Sequence, residues 1–247
     1  MIDGELPSPM LTVAVRDWFA WTPGRETRAD WLAWAGRDVA AVATEPMPAL
    51  PMMLRRRATP IGQKVLGAAL ACQGSQEARY VLASRHGEFD RTVTILTSLA
   101  ENEQPSPAEF SMSVHHGLAG LLSIHTGNRQ GHIAVAASLD TFGYGLLEAA
   151  ACLHESPEQP VLFVYFDGPL PDSYAPFRLV AEADLPLVVA LTLSADGEDR
   201  ISVGCAAADR NGAADSLPQG FLKFLLTNAV AATGIGEEMT WRWRRAA

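Results

Sequence analysis

Apolar and polar positions alternate between two periods along this chain. Leu11 to Phe19 (LTVAVRDWF) alternates and is rich in β-branched residues, which predicts a first strand. Asp30 can cap a short helix that sets Trp31 and Trp34 one turn apart. A helix follows from about Thr59 to Cys72, with small residues (Gly67, Ala68, Ala69, Ala71) that permit close packing. Ala78 to Ser84 reads as a strand and Arg91 to Ala100 as an amphipathic helix. The next helix has a marked start: Ser106 at the N-cap, Pro107 at the first helical position and Glu109 three residues after the cap. HIAVAA (His132 to Ala137) is too short for an amphipathic helix and predicts a buried strand. Phe142, Leu146, Leu147, Ala150 and Leu153 then recur at helical spacing, so Ala137 to Thr141 is a strand-to-helix turn. Helix N-termini carry free N–H groups and partial positive charge, and many folds place a reactive group there.

Beyond that turn, Pro160 to Asp167 (PVLFVYFD) is almost wholly apolar and predicts a central strand buried on both faces. Pro186 to Ser194 is another apolar strand, and Ile201 to Cys205 returns after the Ala195-Asp196-Gly197 turn. Phe221 to Ala231 predicts an apolar helix after a loop over RNGAADSLP (residues 210–218). In the tail TWRWRR, Trp241 and Trp243 fall on one face of an extended segment and Arg242 and Arg244 on the other, as in an edge strand. Strands alternating with helices, then an antiparallel pair, predict a mixed α/β sheet.

The order SPAEFSMSVHHGLAGLLSIHTGN, strand, LDTFGYGLLEA resembles the N-terminal half of a thiolase-type β-ketoacyl synthase. More narrowly it resembles the short chain-length-factor proteins of aryl polyene biosynthesis. LRRRATPIGQKVLGAAL (Leu54 to Leu70) and SRHGEFDRTVTILTSLA (Ser84 to Ala100) are similar to the same family, so the resemblance spans roughly residues 10 to 195. It implies an α/β, thiolase-like half fold with a mixed five-stranded sheet flanked by helices. The expected organisation is one ketosynthase-like domain over residues 1–247, with residues from about 210 to 247 as a helix-and-strand extension.

The resemblance also implies an acyl tunnel at a subunit interface. Phe110, Ser113, Val114 and Gly117 are the implied tunnel or interface residues, with Phe142 near the turn end. An active ketosynthase carries a cysteine at the turn; here the residues are Ala136, Ala137, Ser138, Leu139 and Asp140. The family's histidines of the second half are missing too, since the last histidine is His154. The implied function is a non-catalytic chain-length factor that pairs with a β-ketoacyl-ACP synthase in a hetero-oligomer and shapes the polyene tunnel. The alternative is an acyl-transferring or condensing enzyme with Ser138 as an atypical nucleophile, assisted by Asp140 or a nearby histidine. Serine needs an adjacent base, and the spacing Ala136-x-Ser138-x-Asp140 lacks the glycines of a nucleophile elbow. A plain scaffold or carrier-docking subunit is the third reading.

Arg55, Arg56 and Arg57 are either the solvated start of a helix or a basic site for an acyl carrier protein or the partner subunit. His115 and His116 are adjacent, and with His125 and His132 they show no metal-ligand spacing, so neither metal nor cofactor is expected. The N-terminal tryptophans (Trp18, Trp21, Trp31, Trp34) predict core or interface packing. A net charge of −9 disfavours non-specific nucleic-acid binding. Three irregularly spaced cysteines predict free thiols in a reducing compartment. The N-terminus does not pattern as a signal peptide and no run of 18 apolar residues occurs, so the expected location is the cytoplasm, with no membrane span.

Overall fold

The computed structural model describes residues 10–39, 46–179, 185–208 and 216–246. The lead-in expected at 1–9 and most of the loop expected at 210–218 lie outside the described residues.

One sheet of eight strands, not five, organises the chain. Its strands are β1 (Leu11–Trp21), β2 (Arg79–Ala83), β3 (His132–Val135), β4 (Val161–Asp167), β5 (Leu187–Ser194), β6 (Arg200–Ala207), β7 (Ala231–Ile235) and β8 (Met239–Arg245). Their spatial order is β3-β2-β4-β5-β1-β6-β8-β7. β3, β2 and β4 run parallel. Every other neighbour pair is antiparallel. Two of the three additional strands form the C-terminal hairpin. Its first strand, β7, begins where the sequence extends an apolar helix to Ala231. Asn228, in the left-handed region at φ 55°, caps the preceding helix three residues earlier. Asparagine tolerates that conformation better than most side chains.

The helices are α1 (Arg28–Trp34), α2 (Met52–Arg57), α3 (Pro60–Ala71), α4 (Phe89–Ala100), α5 (Pro107–Met112), α6 (Gly117–Thr126), α7 (Thr141–Glu155) and α8 (Leu217–Thr227). Thr27, not Asp30, is the N-cap of α1; Asp30 is the reciprocal acid of a capping box, accepting from the Thr27 N–H at 2.8 Å. The helix predicted from Ser106 is two helices. Ser106 and Pro107 start α5 as expected, but the chain turns after Met112 and α6 begins at Gly117. His115 and His116 lie in that turn.

The central strands are buried on both faces, which explains their unbroken apolar sequences. On one face Phe163, Trp241 and Trp243 pack beneath α7 and α8 with Phe142 and Phe221. On the other, Leu162, Val164 and Phe166 meet Leu66, Leu118 and Leu122 from α3 and α6. Trp21 and Trp31 are core residues, and Trp18 and Trp34 pack against that core. β3 departs from its prediction: it pairs on one side only, and His132 and Ala134 are exposed. A short apolar run looks the same at an edge as at the centre, because only tertiary pairing distinguishes them.

Candidate functional site at the ends of the parallel strands

Three parallel strands end on one side of the sheet, the side where α/β folds gather ligands. After β3 the chain makes the predicted strand-to-helix turn. Ser138 stands there with φ 48°, in the left-handed region, and is exposed. Thr141 locks the turn: its hydroxyl accepts from the Ala137 N–H at 2.9 Å and donates to the Ser138 carbonyl at 2.6 Å. The Asp140 N–H donates to the Ala137 carbonyl at 2.9 Å.

Asp140 does not assist Ser138. Its buried carboxylate turns the other way and accepts from Trp241 Nε1 at 2.7 Å and from the Glu237 and Glu238 N–H groups at 3.1 and 2.8 Å. Those donors belong to the β7–β8 hairpin, so the turn is tethered to the C-terminal extension. Gly236 is required beside it, because a Cβ there would run into the Asp140 carboxylate. Among the described residues no side chain hydrogen-bonds the Ser138 hydroxyl. No cysteine is at the turn either. Cys72 is buried, and burial pushes its thiol far above the ordinary value. Burial raises Cys152 and Cys205 as well.

The second element is the loop after β2, held by the end of β4. Asp167 closes an otherwise apolar strand and is itself buried. Its Oδ1 accepts from Ser84 Oγ and the His86 N–H, both at 2.9 Å, and its Oδ2 from the Arg85 N–H at 3.0 Å. Burial nonetheless raises its pKa above the usual carboxylate value. The Gly87 N–H then donates to Ser84 Oγ at 2.7 Å, and His115 Nε2 lies 3.4 Å from the Arg85 carbonyl.

The third element is a buried ion cluster. Arg91 Nε donates to Glu88 Oε2 at 3.0 Å and Nη1 to Glu109 Oε2 at 2.7 Å, while Nη2 donates to the Arg57 carbonyl. Glu88 also accepts from the Thr59 hydroxyl and N–H, reaching the start of α3. Burial works against the Arg91 charge, but Glu88 and Glu109 more than offset it and raise its pKa. One guanidinium thus ties α2, α4 and α5 together. Glu109, expected to cap α5 reciprocally, is drawn into this cluster instead.

Of the residues singled out in the sequence, four lie together on α5 and the turn into α6. Phe110 is 67% exposed, Val114 is exposed, Ser113 is half-buried and donates to the Phe110 carbonyl at 2.9 Å, and Gly117 is buried against Met112. Phe142 is apart from them, in the core, with ring centroids 5.4 Å from Phe163 and Phe221 and 5.5 Å from Tyr165. Arg55, Arg56 and Arg57 form the exposed last turn of α2, a short helix of their own. Arg56 and Arg57 line a cleft of about 330 Å³ with Arg91, Glu109, Ser111 and Met112. His116 and His132 stack at 5.6 Å, and His125 is exposed on α6; among the described residues no three metal-binding side chains cluster.

Asp167 and the Arg91 cluster escaped the sequence reading. A lone acid ending a buried apolar strand is a usable signal, because a buried carboxylate demands donors. So is the Glu88-x-x-Arg91 spacing, which puts opposite charges on one helix face.

A family model described as "Beta-ketoacyl synthase, N-terminal domain" matches residues 31–244. Among solved structures, the chain is similar to a chain from the complex of the ketosynthase ApeO with its chain length factor ApeC from Xenorhabdus doucetiae. The identity is 31%, the TM-score 0.80, and the match covers 95% of this chain and 100% of that one. Two more distant likenesses share the fold. One is the AntDE:AntF complex of a type II polyketide ketosynthase with its acyl carrier protein (8% identity, TM-score 0.63, 96% and 100% covered). The other is a β-ketoacyl synthase from Burkholderia phymatum (14%, TM-score 0.56, 90% and 71% covered). No curated protein matches the chain. The chain belongs to the β-ketoacyl synthase N-terminal domain family, and its fold is thiolase-like.

Proposed function

We propose that this β-ketoacyl synthase family member is a chain-length factor: it pairs with a β-ketoacyl-ACP synthase and shapes the acyl tunnel, in biosynthesis of the aryl polyene kind. The observation that carries this is the likeness, over both whole chains, to a member of a ketosynthase–chain length factor complex. The turn supports a non-catalytic role, since among the described residues no side chain hydrogen-bonds the Ser138 hydroxyl and Asp140 is committed to the hairpin. The exposed edge of β3 and the exposed apolar residues Phe110, Val114 and Ile124 supply a surface for the ketosynthase. In this reading Phe110, Ser113, Val114 and Gly117 contribute to the shared interface and tunnel wall, and Phe142 supports the turn from within the core. The α2 arginines, exposed beside α5, receive an acidic carrier protein.

The test is co-expression with a neighbouring ketosynthase, followed by size-exclusion chromatography with mass detection. The expected result is a stable complex with equal copies of each chain. A chain that stays apart from the ketosynthase and leaves its product length unchanged sinks the proposal.

A second reading keeps Ser138 as an acyl acceptor. The observation in its favour is the left-handed backbone of an exposed serine at a strand-to-helix turn, a strained conformation that clusters at functional sites. Incubation with an acyl thioester decides it: labelling must appear and must vanish in Ser138→Ala.

A further inference from the structure

Three arginines line the cleft beside α5, and only one of them is engaged by acids. Arg56 and Arg57 are exposed, and among the described residues neither has a carboxylate partner. Arg91 is buried and held from three sides, by Glu88, Glu109 and the Arg57 carbonyl. That last contact sets the backbone that carries Arg56 and Arg57 against the Arg91 guanidinium. The two acids differ. Glu88 is 3% exposed and also accepts from the Thr59 N–H and hydroxyl. Glu109 is 34% exposed, and among the described residues its carboxylate has one partner, Arg91 Nη1 at 2.7 Å. It stands on α5, a helix with no buried residue, which meets the core through Met112 at its end. Ala108 and Met112 give the cleft an apolar wall, and no aromatic side chain is among its lining residues.

We propose that this cleft binds a phosphate group, which replaces Glu109 on Arg91 and is held by Arg56 and Arg57. The inference deepens the carrier-docking reading of the α2 arginines and rests on it only for the source of the phosphate. Glu109 sets the requirement on the ligand. It is tethered to α5 and so competes at high effective concentration, and a free monocarboxylate offers Arg91 nothing that Glu109 does not. A phosphate carries nearly two negative charges and three strong acceptor oxygens. One oxygen can take over Arg91 Nη1 while the others meet Arg56 and Arg57, and guanidinium forks match phosphate geometry. Glu109, already one-third exposed, moves into water at little cost. Glu88 stays on Arg91 Nε, so the buried charge keeps a partner. The cleft, about 330 Å³, has room beyond the phosphate itself, and Ala108 and Met112 can meet the carbon part of an ester. A single-stranded nucleic acid fits less well, because its bases need aromatic platforms that this lining lacks. Phe110 follows Glu109 on α5, so losing the ion pair also loosens the helix that carries this exposed ring.

The test is isothermal titration of the full chain with sodium phosphate, against sodium chloride at matched ionic strength. Glycerol 3-phosphate and a glutamate-rich peptide without phosphate are the further probes. Phosphate is expected to bind saturably and chloride not. Arg56→Gln with Arg57→Gln should weaken binding by about tenfold or more. Arg200→Gln with Arg244→Gln removes the same charge from exposed positions on β6 and β8 and should leave binding within about twofold. Glu109→Gln keeps an acceptor for Arg91 but gives up the competing charge, so it should tighten binding by about fivefold. Glu101→Gln, at the exposed end of α4, should change it by less than about twofold. Hydrogen exchange should rise over Pro107–Met112 when phosphate is added and stay unchanged in α4. Circular dichroism checks that each variant folds. Tighter binding of glycerol 3-phosphate than of inorganic phosphate assigns the site to an ester, and the reverse assigns it to the free ion. No saturable phosphate binding, equal loss in both double variants, no gain in Glu109→Gln or unchanged exchange in α5 overturns the proposal. A peptide that binds where phosphate does not overturns it too and leaves the docking reading intact. Phosphate binding without any response to the peptide keeps the proposal and counts against the docking reading.

Discussion

The two ends of the sheet dispose of their apolar surface in opposite ways. At the β7–β8 end, Trp241, Trp243, Phe221 and Phe224 are all buried, and α8 lies over them with seven buried residues. At the β3 end, α4 buries only Arg91 and leaves Leu96 and Leu99 exposed, and Phe110 and Ile124 are 67% and 69% exposed. The difference separates two kinds of stabilisation. The hairpin end is completed within the chain, so its side chains govern folding. The β3 end holds its backbone in place with ions and leaves apolar side chains outward, the pattern of a surface meant for another chain.

Breaking the sealed end should have the largest effect. Trp241→Ala removes a fully buried indole, its edge contact with Tyr144 at 5.1 Å and one of the donors to Asp140. The expected loss is about 3–5 kcal/mol, read from urea unfolding. A loss below about 1 kcal/mol would mean the hairpin is not part of the cooperative unit. At the open end, Arg91→Met strands the buried Glu88 carboxylate and releases α5 from α2. Removing one partner of a buried ion pair costs about 3–5 kcal/mol, in this case concentrated at Phe89–Met112. Hydrogen exchange should show protection lost in α4 and α5 while β8 keeps its own. Uniform loss across the sheet would erase the proposed division between the two ends.

Asp167 gives a graded test from the middle of the sheet. Its folded pKa is raised above the ordinary 3.8 by burial, against the pull of its three donors. The folded chain then binds this proton more tightly than the unfolded chain. The sign follows: the contribution is fully present below pH 3.8, and stability falls as pH rises through the raised value. Comparing unfolding midpoints of the wild type and Asp167→Asn between pH 4 and 8 should show the wild type losing relative stability as pH increases. Parallel curves would contradict a raised pKa.

The sequence was most informative where periodicity and burial coincide. β4 and β5 read as buried strands because both faces are covered, and α7 reads as a helix because Phe142, Leu146 and Leu153 all enter one core. The elbow was legible as a place, from the strand and the helix that flank it. Its chemistry was not, because the groups that occupy Asp140 lie 97 to 101 residues away. Strand number failed for a similar reason. β7 is AATGI, with weak strand propensity, and it exists through its pairing with β8. The Arg91 cluster draws on α2, the start of α3, α4 and α5, and no local window contains it.

The smallest effect on stability is also the sharpest separation of the two ends. Phe110→Ser combined with Ile124→Ser alters two side chains that contribute little to the core of the isolated chain. Exposed positions of this sort change folding stability by less than about 0.5 kcal/mol, and removing surface apolar groups tends to improve solubility. If the β3 end is the surface that receives a ketosynthase, the same two changes remove apolar anchors from that interface, and pairing should weaken by about tenfold or more. Urea unfolding of the variant alone and size-exclusion titration against the ketosynthase measure the two quantities separately. Unchanged stability with weakened pairing would assign these side chains to the partner. Unchanged pairing would move the contact away from α5 and α6 and leave the edge of β3 to carry it.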